Sequence, residues 1–444
     1  MDESRGLDGL RTRLAGQGVA GIALCYVDTS GITRVKGIPV ARLDHAVDPG
    51  IGMSPVFDVF LLDDSITAGR YAGGPVGDLR LVPDLDRLVP LAGQPGWAFA
   101  PVDRWRQDGE RHPICSRWFA RRMADALAAV GFSARMAFEV EWYVDRGTGD
   151  VLEPACVGPA YGMTRLVELS EYTRDVLAAL AAEGIAVEQL HPEYAPGQLE
   201  VSVASEDPVG AADTAVLVRH TIRAVSARHA LRVSFAPSVV CGGVGNGGHV
   251  HLSLWRDGRN VTADPGRSLT PSGAAFAAGV LEELPALLAI GAPSVASYLR
   301  LVPQHWAGAF RCWGWENREA AVRVVLDRSP NFEVKCVDQS ANPYLLVGAL
   351  LAAGMAGLAK GATLPPPVDV DPALLAPQER ARLGVERLPE SLEQSLAAFD
   401  ASQVLHEALG EPLADTIATV RRAELDLFAG SSADDVLART RWRH

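Results

Sequence analysis

The stretch Met136-Ala137-Phe138-Glu139-Val140-Glu141-Trp142-Tyr143-Val144 alternates two glutamates with apolar side chains. This period of two predicts a β-strand that carries Glu139 and Glu141 on one face, about 7 Å apart. A lone Glu-X-Glu pair is more often the solvated face of an antiparallel sheet than a functional site. The stretch therefore predicts a sheet, and other segments must show whether its carboxylates meet further ligands.

Three further segments place polar side chains on one face in the same way, namely 249–255, the turn and strand at 191–204, and 332–336. The candidate functional residues that we take from the four segments are Glu139, Glu141, Glu193, Glu200, His249, His251, Ser253, Glu333 and Lys335. Five glutamates and a histidine suit two Mg²⁺ or Mn²⁺ ions, because hard cations prefer oxygen ligands. Zinc, which prefers Cys and His, fits poorly. The combination supports the hypothesis of a metal-nucleotide enzyme.

The composition is that of an ordinary globular protein. The 444 residues are 48% hydrophobic, which is enough for a large core and two domains. The formal charge is −13 without a run of Lys or Arg, which argues against nucleic acid or an anionic membrane as partner and favours small molecules. Six scattered cysteines indicate reduced thiols, and the N-terminus lacks an apolar segment, so we expect a cytoplasmic protein.

Turn and helix patterns divide the chain into two predicted domains. Residues 1–105 combine one short helix with strands punctuated by Gly and Pro, as in a small α+β domain. Residues 106–444 begin with a linker, and Ser116 is the expected N-cap of the next helix. The predicted helices span 7–17, 117–130, 166–183, 211–229, 271–290, 343–360, 388–409 and 415–428. Helices interleaved with acidic strands predict an α+β sheet backed by helices.

Phosphate binding in this sequence needs residues other than a glycine-rich loop. Segment 243–248 formally fits G-x-G-x-x-G, but it opens a strand, so it lacks the helix N-terminus that binds dinucleotides. No Gly-Lys-Ser/Thr occurs, which removes a Walker A motif. Arg300, Arg318 and Arg323 are the candidates to neutralise phosphate beside metal ions, although each alone is more often a surface or salt-bridge residue.

Together the motifs resemble the type I branch of the glutamine synthetase family. The six motifs, in the order and spacing of that family, are Glu139-X-Glu141, Glu193 with Ala195-Pro196-Gly197-Gln198-X-Glu200, Gly245-X-Gly247-X-His249-X-His251-X-Ser253, Arg300-Leu301-Val302-Pro303, Asn317-Arg318 through Arg323, and Glu333 followed by Ala341-Asn342-Pro343-Tyr344-Leu345. The resemblance covers nearly the whole chain. It implies an N-terminal β-grasp domain, a C-terminal catalytic domain with a curved antiparallel sheet backed by helices, and a homo-oligomer, usually a double-ring dodecamer.

The resemblance also implies ATP and two or three Mg²⁺ or Mn²⁺ ions. The residues implied for the metal near glutamate are Glu141, Glu193 and Glu200. The residues implied for the metal that bridges the ATP phosphates are Glu139, His249 and Glu333. The residues implied to contact the reactants are Gly245 and Arg300 for glutamate, His251 and Ser253 for the nucleotide, and Arg318 and Arg323 for the transferring phosphoryl group.

The sequence departs from the family pattern where ammonia is handled. Leu62 replaces the aspartate of the N-terminal latch, although Asp63 and Asp64 follow it. Trp306 replaces the glutamate of the flap, so an apolar ring stands where the family has a base. His305 and Asp64 are the candidates for the proton acceptor that this glutamate no longer supplies.

The pocket for the acid changes as well. Val244 and Ala296 stand where asparagines are usual, and Lys335 replaces an arginine fork with a point charge. We expect an ATP-dependent ligase that joins a γ-glutamyl group to a polyamine, ethanolamine or another alkylamine through γ-glutamyl phosphate, with Trp306 packed on the amine's carbon chain. The alternatives are a true glutamine synthetase that uses ammonia, a catalytically silent family member, and a ligase for a glutamate analogue.

Overall fold

The computed structural model describes residues 3–264, 266, 268–326 and 328–444. Its N-terminal part is built on a six-stranded mixed sheet. The strands are β1 (Gly21–Val27), β2 (Thr33–Pro39), β3 (Ile51–Met53), β4 (Leu79–Pro83), β5 (Val89–Pro90) and β6 (Trp97–Trp105), and the helices are α1 (Glu3–Gly16) and α2 (Leu43–Val47). The order is β2-β1-β6-β4-β3 with a parallel β1–β6 pair at the centre. Leu14 of α1 packs with Ile22 and Leu24 of β1 in the core, as the predicted small α+β domain requires.

The C-terminal part contains a ten-stranded sheet and a small β13–β14 hairpin. The strands are β7 (Ser133–Asp145), β8 (Val187–Pro192), β9 (Gln198–Val203), β10 (Arg232–Ser234), β11 (Val250–Arg256), β12 (Arg259–Asn260), β13 (Ala263–Asp264), β14 (Ser268–Leu269), β15 (Phe310–Trp315), β16 (Ala320–Val325), β17 (Asn331–Val334) and β18 (Glu386–Arg387). The main order is β18-β15-β16-β17-β11-β7-β9-β8. The pairs are antiparallel except for β15 and β16, which run parallel. Strand β7 lies between β9 and β11 and carries the stretch that predicts the sheet.

The helices of this part are α3 (Ser116–Ala129), α4 (Met163–Glu168), α5 (Ser170–Ala182), α6 (Pro208–Arg228), α7 (Pro271–Gly291), α8 (Ser297–Arg300), α9 (Pro343–Lys360), α10 (Pro377–Leu383), α11 (Leu392–Ala401), α12 (Gln403–Leu409), α13 (Glu411–Leu427) and α14 (Ala433–Thr440). Among them, α3 and α6 contact β7, α5 contacts β8 and α7 contacts β15. The inward-facing residues Val140, Trp142 and Val144 of β7 are fully buried in the core beneath them. This is the predicted α+β sheet backed by helices.

Three details of the helix prediction are wrong. The predicted helix 166–183 is interrupted at Leu169, whose backbone leaves the helical region, and the predicted helix 388–409 is interrupted at Ser402. The Ser402 side chain accepts a hydrogen bond from the Leu405 amide and so begins a new helix. Ser116 is the first helical residue and not the N-cap, because its hydroxyl donates to the Val27 carbonyl of the N-terminal sheet.

Two long apolar helices, α7 and α9, form the centre of the core. Gly279 and Gly357 face each other where the helices cross, and a Cβ on either would collide with the other helix's backbone. Both helices are long and apolar enough to cross a membrane, but 78% and 72% of their most apolar windows are buried inside the protein. Their apolar character is therefore explained by packing, as the sequence predicts for segment 344–359.

Candidate active site

The acidic strands meet on one face of the large sheet. Glu141 stands opposite Glu200 across β7 and β9. His251 stands opposite Glu333 across β11 and β17, and His249 lies directly before β11. Directly opposed residues of antiparallel strands point to the same face. The register thus brings polar side chains from separate segments into one site.

The first of two groups in this site, here called the balanced cluster, consists of Glu139, His249, His251, Arg323, Glu333 and Lys335. His249 Nδ1 lies 3.0 Å from Glu139 Oε2 and 3.2 Å from Glu333 Oε1. His251 Nε2 lies 3.1 Å from Glu139 Oε1. Lys335 Nζ donates to Glu333 Oε1 at 3.0 Å. Each carboxylate of this cluster therefore has basic partners at hydrogen-bonding distance.

Cations decide the ionisation of the balanced cluster. Burial opposes charge on Glu333, but Lys335 and His249 outweigh it and lower its pKa to about 2. The pKa of Glu139 is held well below its usual value, against burial, by His251 and His249. Burial and the Lys335 charge lower the pKa of His249 to about 4. The imidazole of His249 is therefore neutral at physiological pH and can offer a lone pair to a metal ion.

The second group, here called the crowded cluster, consists of Glu141, Glu193 and Glu200. All three are buried, with at most 9% of their surface exposed. His191 contacts two of them, with Nδ1 at 3.3 Å from Glu193 Oε1 and Nε2 at 3.3 Å from Glu200 Oε1. Gln198 Nε2 donates to Glu141 Oε2 at 2.9 Å. Two of the three carboxylates thus share His191 as a basic partner, whereas Glu141 Oε1 lies 3.8 Å from His249 Nε2.

Repulsion adds to burial in the crowded cluster. Burial, followed by the charges of Glu200 and Glu193, raises the pKa of Glu141 to about 8. Burial and the charge of Glu139 raise the pKa of Glu200 to about 7, and burial raises the pKa of Glu193. The hydrogen bond with Glu200 raises the pKa of His191 to about 9. The crowded cluster therefore has more acidic groups than positive charge to balance them, and a divalent cation can supply the difference.

Ligand atoms of both clusters lie close enough together to hold metal ions. Among the described residues, three groups have ligand atoms within 4.8 Å of one another, namely Glu139 with His251 and Glu333, Glu139 with Glu200 and His249, and His191 with Glu193 and Glu200. Glu141 is outside these groups, but its Oε1 lies 3.8 Å from His249 Nε2. All six predicted metal ligands therefore lie in one site. His191 is an additional candidate that the sequence pattern did not identify, although it lies two residues before Glu193.

A cavity of about 450 Å³ opens beside the balanced cluster. Glu139, His251 and Ser253 are among its lining residues. His251 Nδ1 lies 2.8 Å from Asn331 Oδ1, which fixes the orientation of the ring. The two residues predicted to border the nucleotide therefore line one cavity beside candidate metal ligands.

The three predicted arginines lie in different surroundings. Arg300 is buried, and its Nη2 lies 3.1 Å from His249 Nε2. Arg323 Nη1 donates to Glu333 Oε2 at 3.1 Å. Arg318 is exposed in the turn before β16. The fold thus brings Arg300 and Arg323 to the clusters and leaves Arg318 facing solvent.

Two further residues predicted for glutamate binding also lie at the site. Lys335 is engaged with Glu333, and its main-chain carbonyl accepts a hydrogen bond from Arg300 Nη2 at 3.1 Å. The Gly245 carbonyl accepts from Gln198 Nε2 at 3.0 Å. A Cβ on Gly245 would collide with the carbonyl oxygen of Pro237, so the close approach of these segments requires glycine.

The loop after Pro303, here called the flap, is fixed by a carboxylate and an aromatic contact. The main-chain amides of Gln304 and Trp306 donate to Glu319 at 3.2 and 2.8 Å. Both residues have positive φ, which these two hydrogen bonds stabilise. The Trp306 ring packs on Tyr194 with ring centroids 4.9 Å apart. The Tyr194 main-chain amide donates to Glu193 Oε2 at 3.1 Å, so Tyr194 connects the indole to the crowded cluster.

The two predicted proton acceptors, Asp64 and His305, lie in different surroundings. Asp64 forms ion pairs with Arg34 at 2.8 Å and with Arg443 at 3.2 Å. His305 lies on the flap, and its buried Nδ1 has no hydrogen-bond partner in the described part of the chain. Within the described residues, neither side chain forms a hydrogen bond or an ion pair with a carboxylate of the two clusters. Their catalytic role stays a prediction.

Carboxylates and histidines on one face of the sheet, beside a cavity, are the arrangement expected of a metal-dependent enzyme. The sequence profile of the glutamine synthetase catalytic domain matches residues 113–438, and that of the glutamine synthetase N-terminal domain matches residues 8–110. The chain belongs to the glutamine synthetase family. Enzymes of this family use ATP and divalent metal ions. The predicted family and fold class are confirmed.

Individual relatives agree with this assignment over nearly the whole chain. Gamma-glutamylpolyamine synthetase GlnA3 of Streptomyces coelicolor is 55% identical over 98% of this chain and 96% of its own length. Glutamine synthetase of Methanocaldococcus jannaschii is 34% identical over 92% of each chain. A crystal structure of a novel glutamine synthase homolog superposes with a TM-score of 0.83 at 34% identity, covering 95% of this chain and 97% of the other. A GmaS/ADP complex superposes with a TM-score of 0.85 at 26% identity and the same coverage.

Proposed function

We propose that this protein is an ATP-dependent ligase that joins the γ-carboxyl group of glutamate to an organic amine through γ-glutamyl phosphate. The observation that carries the proposal is the Trp306 ring, packed on Tyr194 beside the crowded cluster where the family pattern has a flap glutamate. An aromatic ring can pack on a carbon chain and attract an alkylammonium, and ammonia needs neither contact. The 55% identity to gamma-glutamylpolyamine synthetase GlnA3 supports an amine of this kind.

The aromatic pair of the flap favours an amine that arrives as a cation. Trp306 and Tyr194 pack together and are both exposed, so their ring faces are open to a ligand. Aromatic faces attract cations and also offer an apolar surface to a carbon chain. A polyamine offers both charges and methylene groups, so we place polyamines first among the amines and ethanolamine and other alkylamines after them.

The two clusters are suited to two or three Mg²⁺ or Mn²⁺ ions. We assign the ion near glutamate to Glu141, Glu193 and Glu200, and the ion near the ATP phosphates to Glu139, His249 and Glu333. The donor set fits, because it is rich in carboxylate oxygens and because the neutral His249 adds a nitrogen ligand. Bound ions would neutralise the charge of the phosphate groups.

The remaining assignments concern the reactants. We assign Arg300 and Gly245 to glutamate, His251 and Ser253 to the nucleotide, and Arg318 and Arg323 to the transferring phosphoryl group. Buried Arg300 has the fixed guanidinium that recognition of a carboxylate requires. The cavity beside the balanced cluster has room for a nucleotide, and the GmaS/ADP complex of the same fold supports that occupant.

The reaction proceeds in two steps. The γ-carboxylate of glutamate attacks the γ-phosphorus of ATP, so that ADP leaves and an acyl phosphate forms. The amine nitrogen then attacks the γ-carbonyl carbon, expels inorganic phosphate and loses a proton. Positioning and charge neutralisation carry most of the catalysis in such a transfer. His305 and Asp64 are the candidates to accept the proton.

A phosphate-release assay tests the proposal. The purified full chain is given ATP, Mg²⁺ and glutamate with ammonium, ethanolamine, putrescine or spermidine, and the products are identified by mass spectrometry. We expect kcat/KM for the polyamines to exceed that for ammonium by at least about tenfold, the effect of one good contact. Preference for ammonium would instead identify a glutamine synthetase, and phosphate release with none of the amines would indicate a silent family member.

Assembly and cellular location belong to the same proposal. We propose a double-ring dodecamer, because the family is generally oligomeric, and a cytoplasmic enzyme that acts on small molecules. We also propose that residues 1–105 form the N-terminal domain and residues 106–444 the catalytic domain. Mass photometry of the purified chain would report the number of subunits directly.

A further inference from the structure

A second polar cavity lies outside the candidate active site, between helix α6, the loop at 31–33 and the end of the chain. Its volume is about 90 Å³, several times the roughly 10–15 Å³ that one water molecule needs. The basic side chains at its wall are Arg219, His220, Arg223, Arg443 and His444. The lining residues described for this cavity include no aspartate or glutamate. It is therefore a basic cavity with room for a polyatomic group.

The two arginines of α6 lack anionic partners. Arg219 is 7% exposed, and its Nη1 donates to the main-chain carbonyl of Gln339 at 2.5 Å. Arg219 Nη2 is buried and has no hydrogen-bond partner among the described residues. Arg223 lies four residues later on the same helix, with its guanidinium 5.0 Å from the centre of the Phe235 ring. Neither arginine forms an ion pair within the described chain, whereas Arg443 at the same wall pairs with Asp64 at 3.2 Å.

Burial of these charges without an anion is costly. Burial lowers the pKa of Arg219 and of Arg223 to about 10, and each still remains protonated at neutral pH. Burial and the two arginines lower the pKa of His220 to about 3. Like charges at positions i and i+4 of a helix repel each other. An unpaired buried cation destabilises a fold unless a partner is bound.

We propose that this cavity is a binding site for a small oxyanion, held between Arg219 and Arg223. A guanidinium presents parallel N–H donors that match the oxygens of a phosphate or a carboxylate. The unpaired Nη2 of Arg219 supplies one donor, Arg223 supplies a second guanidinium one helical turn away, and Arg443 lines the cavity with a partly exposed side chain. Phosphate and carboxylate ligands share this chemistry, and the site is independent of the proposed ligase activity.

The cavity is connected to the candidate active site through one residue. While Arg219 binds the Gln339 carbonyl, the Gln339 side chain donates to the carbonyls of Glu139 and Gly247 at 2.8 and 3.2 Å. An anion that fixes Arg219 would therefore also hold Gln339 against the strand of Glu139. For the same reason Arg223, which makes no such bond, is the better position for a test variant.

Thermal unfolding of the full chain tests the site. Inorganic phosphate and succinate are titrated separately against chloride at constant ionic strength, for the unmodified protein, Arg223→Gln and Arg228→Gln. Arg228 is an exposed arginine of the same helix and serves as the matched control. We expect one of the two anions to raise the unfolding midpoint of the unmodified protein and of Arg228→Gln with saturation. Arg223→Gln should weaken that binding at least about tenfold, as expected for a lost charge-assisted pair.

The variants also separate this site from the active site, where phosphate is a product of the proposed reaction. An anion bound only at the active site would stabilise Arg223→Gln as much as the unmodified protein, and that result overturns the proposal. Absence of any response to both anions overturns it as well. Without anion, Arg223→Gln should unfold at the same or a higher temperature, because the repulsion from Arg219 is gone. If it does not fold, Arg223→Lys, which keeps the charge but loses the fork, must show weakened binding.

Discussion

The crowded and the balanced cluster lie side by side on one sheet, yet their electrostatics are opposite. In the balanced cluster Glu333 is surrounded by Lys335, Arg323 and His249, and its pKa falls to about 2. In the crowded cluster Glu141 has carboxylates as neighbours, and its pKa rises to about 8. Both glutamates are almost fully buried, so neighbouring charge and not exposure makes the difference.

The comparison indicates how the site divides its tasks. A carboxylate with fixed cationic partners keeps its charge and its position before any ligand arrives. A carboxylate among other carboxylates gains most when a divalent cation replaces protons, since metal binding requires the deprotonated form. The balanced cluster should therefore stabilise the empty protein, whereas the crowded cluster should stabilise it only with metal bound.

The largest expected effect is that of Glu333→Gln on the metal-free protein. This change leaves the buried Lys335 ammonium without its partner at 3.0 Å. Loss of one partner from a buried pair costs about 3–5 kcal/mol. We expect the free energy of unfolding in EDTA, measured by urea denaturation, to fall by this amount.

Glu316→Gln is the matched control for this variant. Glu316 pairs with the same Arg323 but its side chain is 37% exposed, so we expect a loss below about 1 kcal/mol. Equal losses for both variants would contradict the role given to the buried partner.

The second prediction concerns Glu141→Gln, which should have the opposite effect on the empty protein. The amide cannot ionise beside Glu200 and Glu193 and can still accept the hydrogen bond from Gln198. We expect an unchanged or higher unfolding temperature in EDTA and a Mg²⁺ affinity lower by about 10–100-fold. Isothermal titration with Mg²⁺ measures the affinity. A marked decrease of the metal-free unfolding temperature would contradict the distinction between the clusters.

The strands of both clusters could be predicted from the sequence, but their partners could not. Alternation with period two places Glu139 and Glu141 on one face, because side-chain direction in a strand is a local property. The opposition of Glu141 and Glu200 depends on pairing between distant segments, and only the family resemblance pointed to it. His191 was missed because its contact with Glu200 arises from the β8–β9 register. Glu319, which holds the flap, was missed because its hydrogen bonds with the Gln304 and Trp306 amides join two separate turns.

The third prediction is a pH dependence whose sign separates the clusters. Glu141 and Glu200 have raised pKa values of about 8 and 7, so these two groups hold more protons in the folded metal-free chain than in the unfolded chain between about pH 5 and 8. Buried neutral histidines such as His249 act in the opposite direction only below their ordinary pKa of 6.5. Stability in EDTA should therefore fall as pH rises from about 6.5 to 8. Glu333 acts in the other direction, because its contribution is complete above its ordinary pKa of 4.5 and is lost as pH falls toward 2.

Thermal unfolding between pH 5 and 8, with and without saturating Mg²⁺, measures this dependence. Mg²⁺ should flatten the decrease, because bound metal replaces the protons of the crowded cluster. Glu141→Gln should flatten it without metal. A stability in EDTA that rises steadily from pH 5 to 8 would show that these carboxylates are ionised throughout.

The smallest expected effect is that of Trp306→Ala on the KM for the amine. Trp306→Ala removes the ring that packs on Tyr194 but leaves the flap amide free to bind Glu319. Loss of an aromatic contact with a partly exposed cation costs about 1 kcal/mol, so we expect KM for a polyamine to rise about fivefold. Turnover with ammonium should stay within about twofold of the unmodified enzyme, since ammonium has no carbon chain to pack. Trp306→Phe keeps an aromatic face and should retain most of the polyamine affinity. An equal rise of KM for ammonium and polyamine would mean that the indole closes the site in general and does not select the amine.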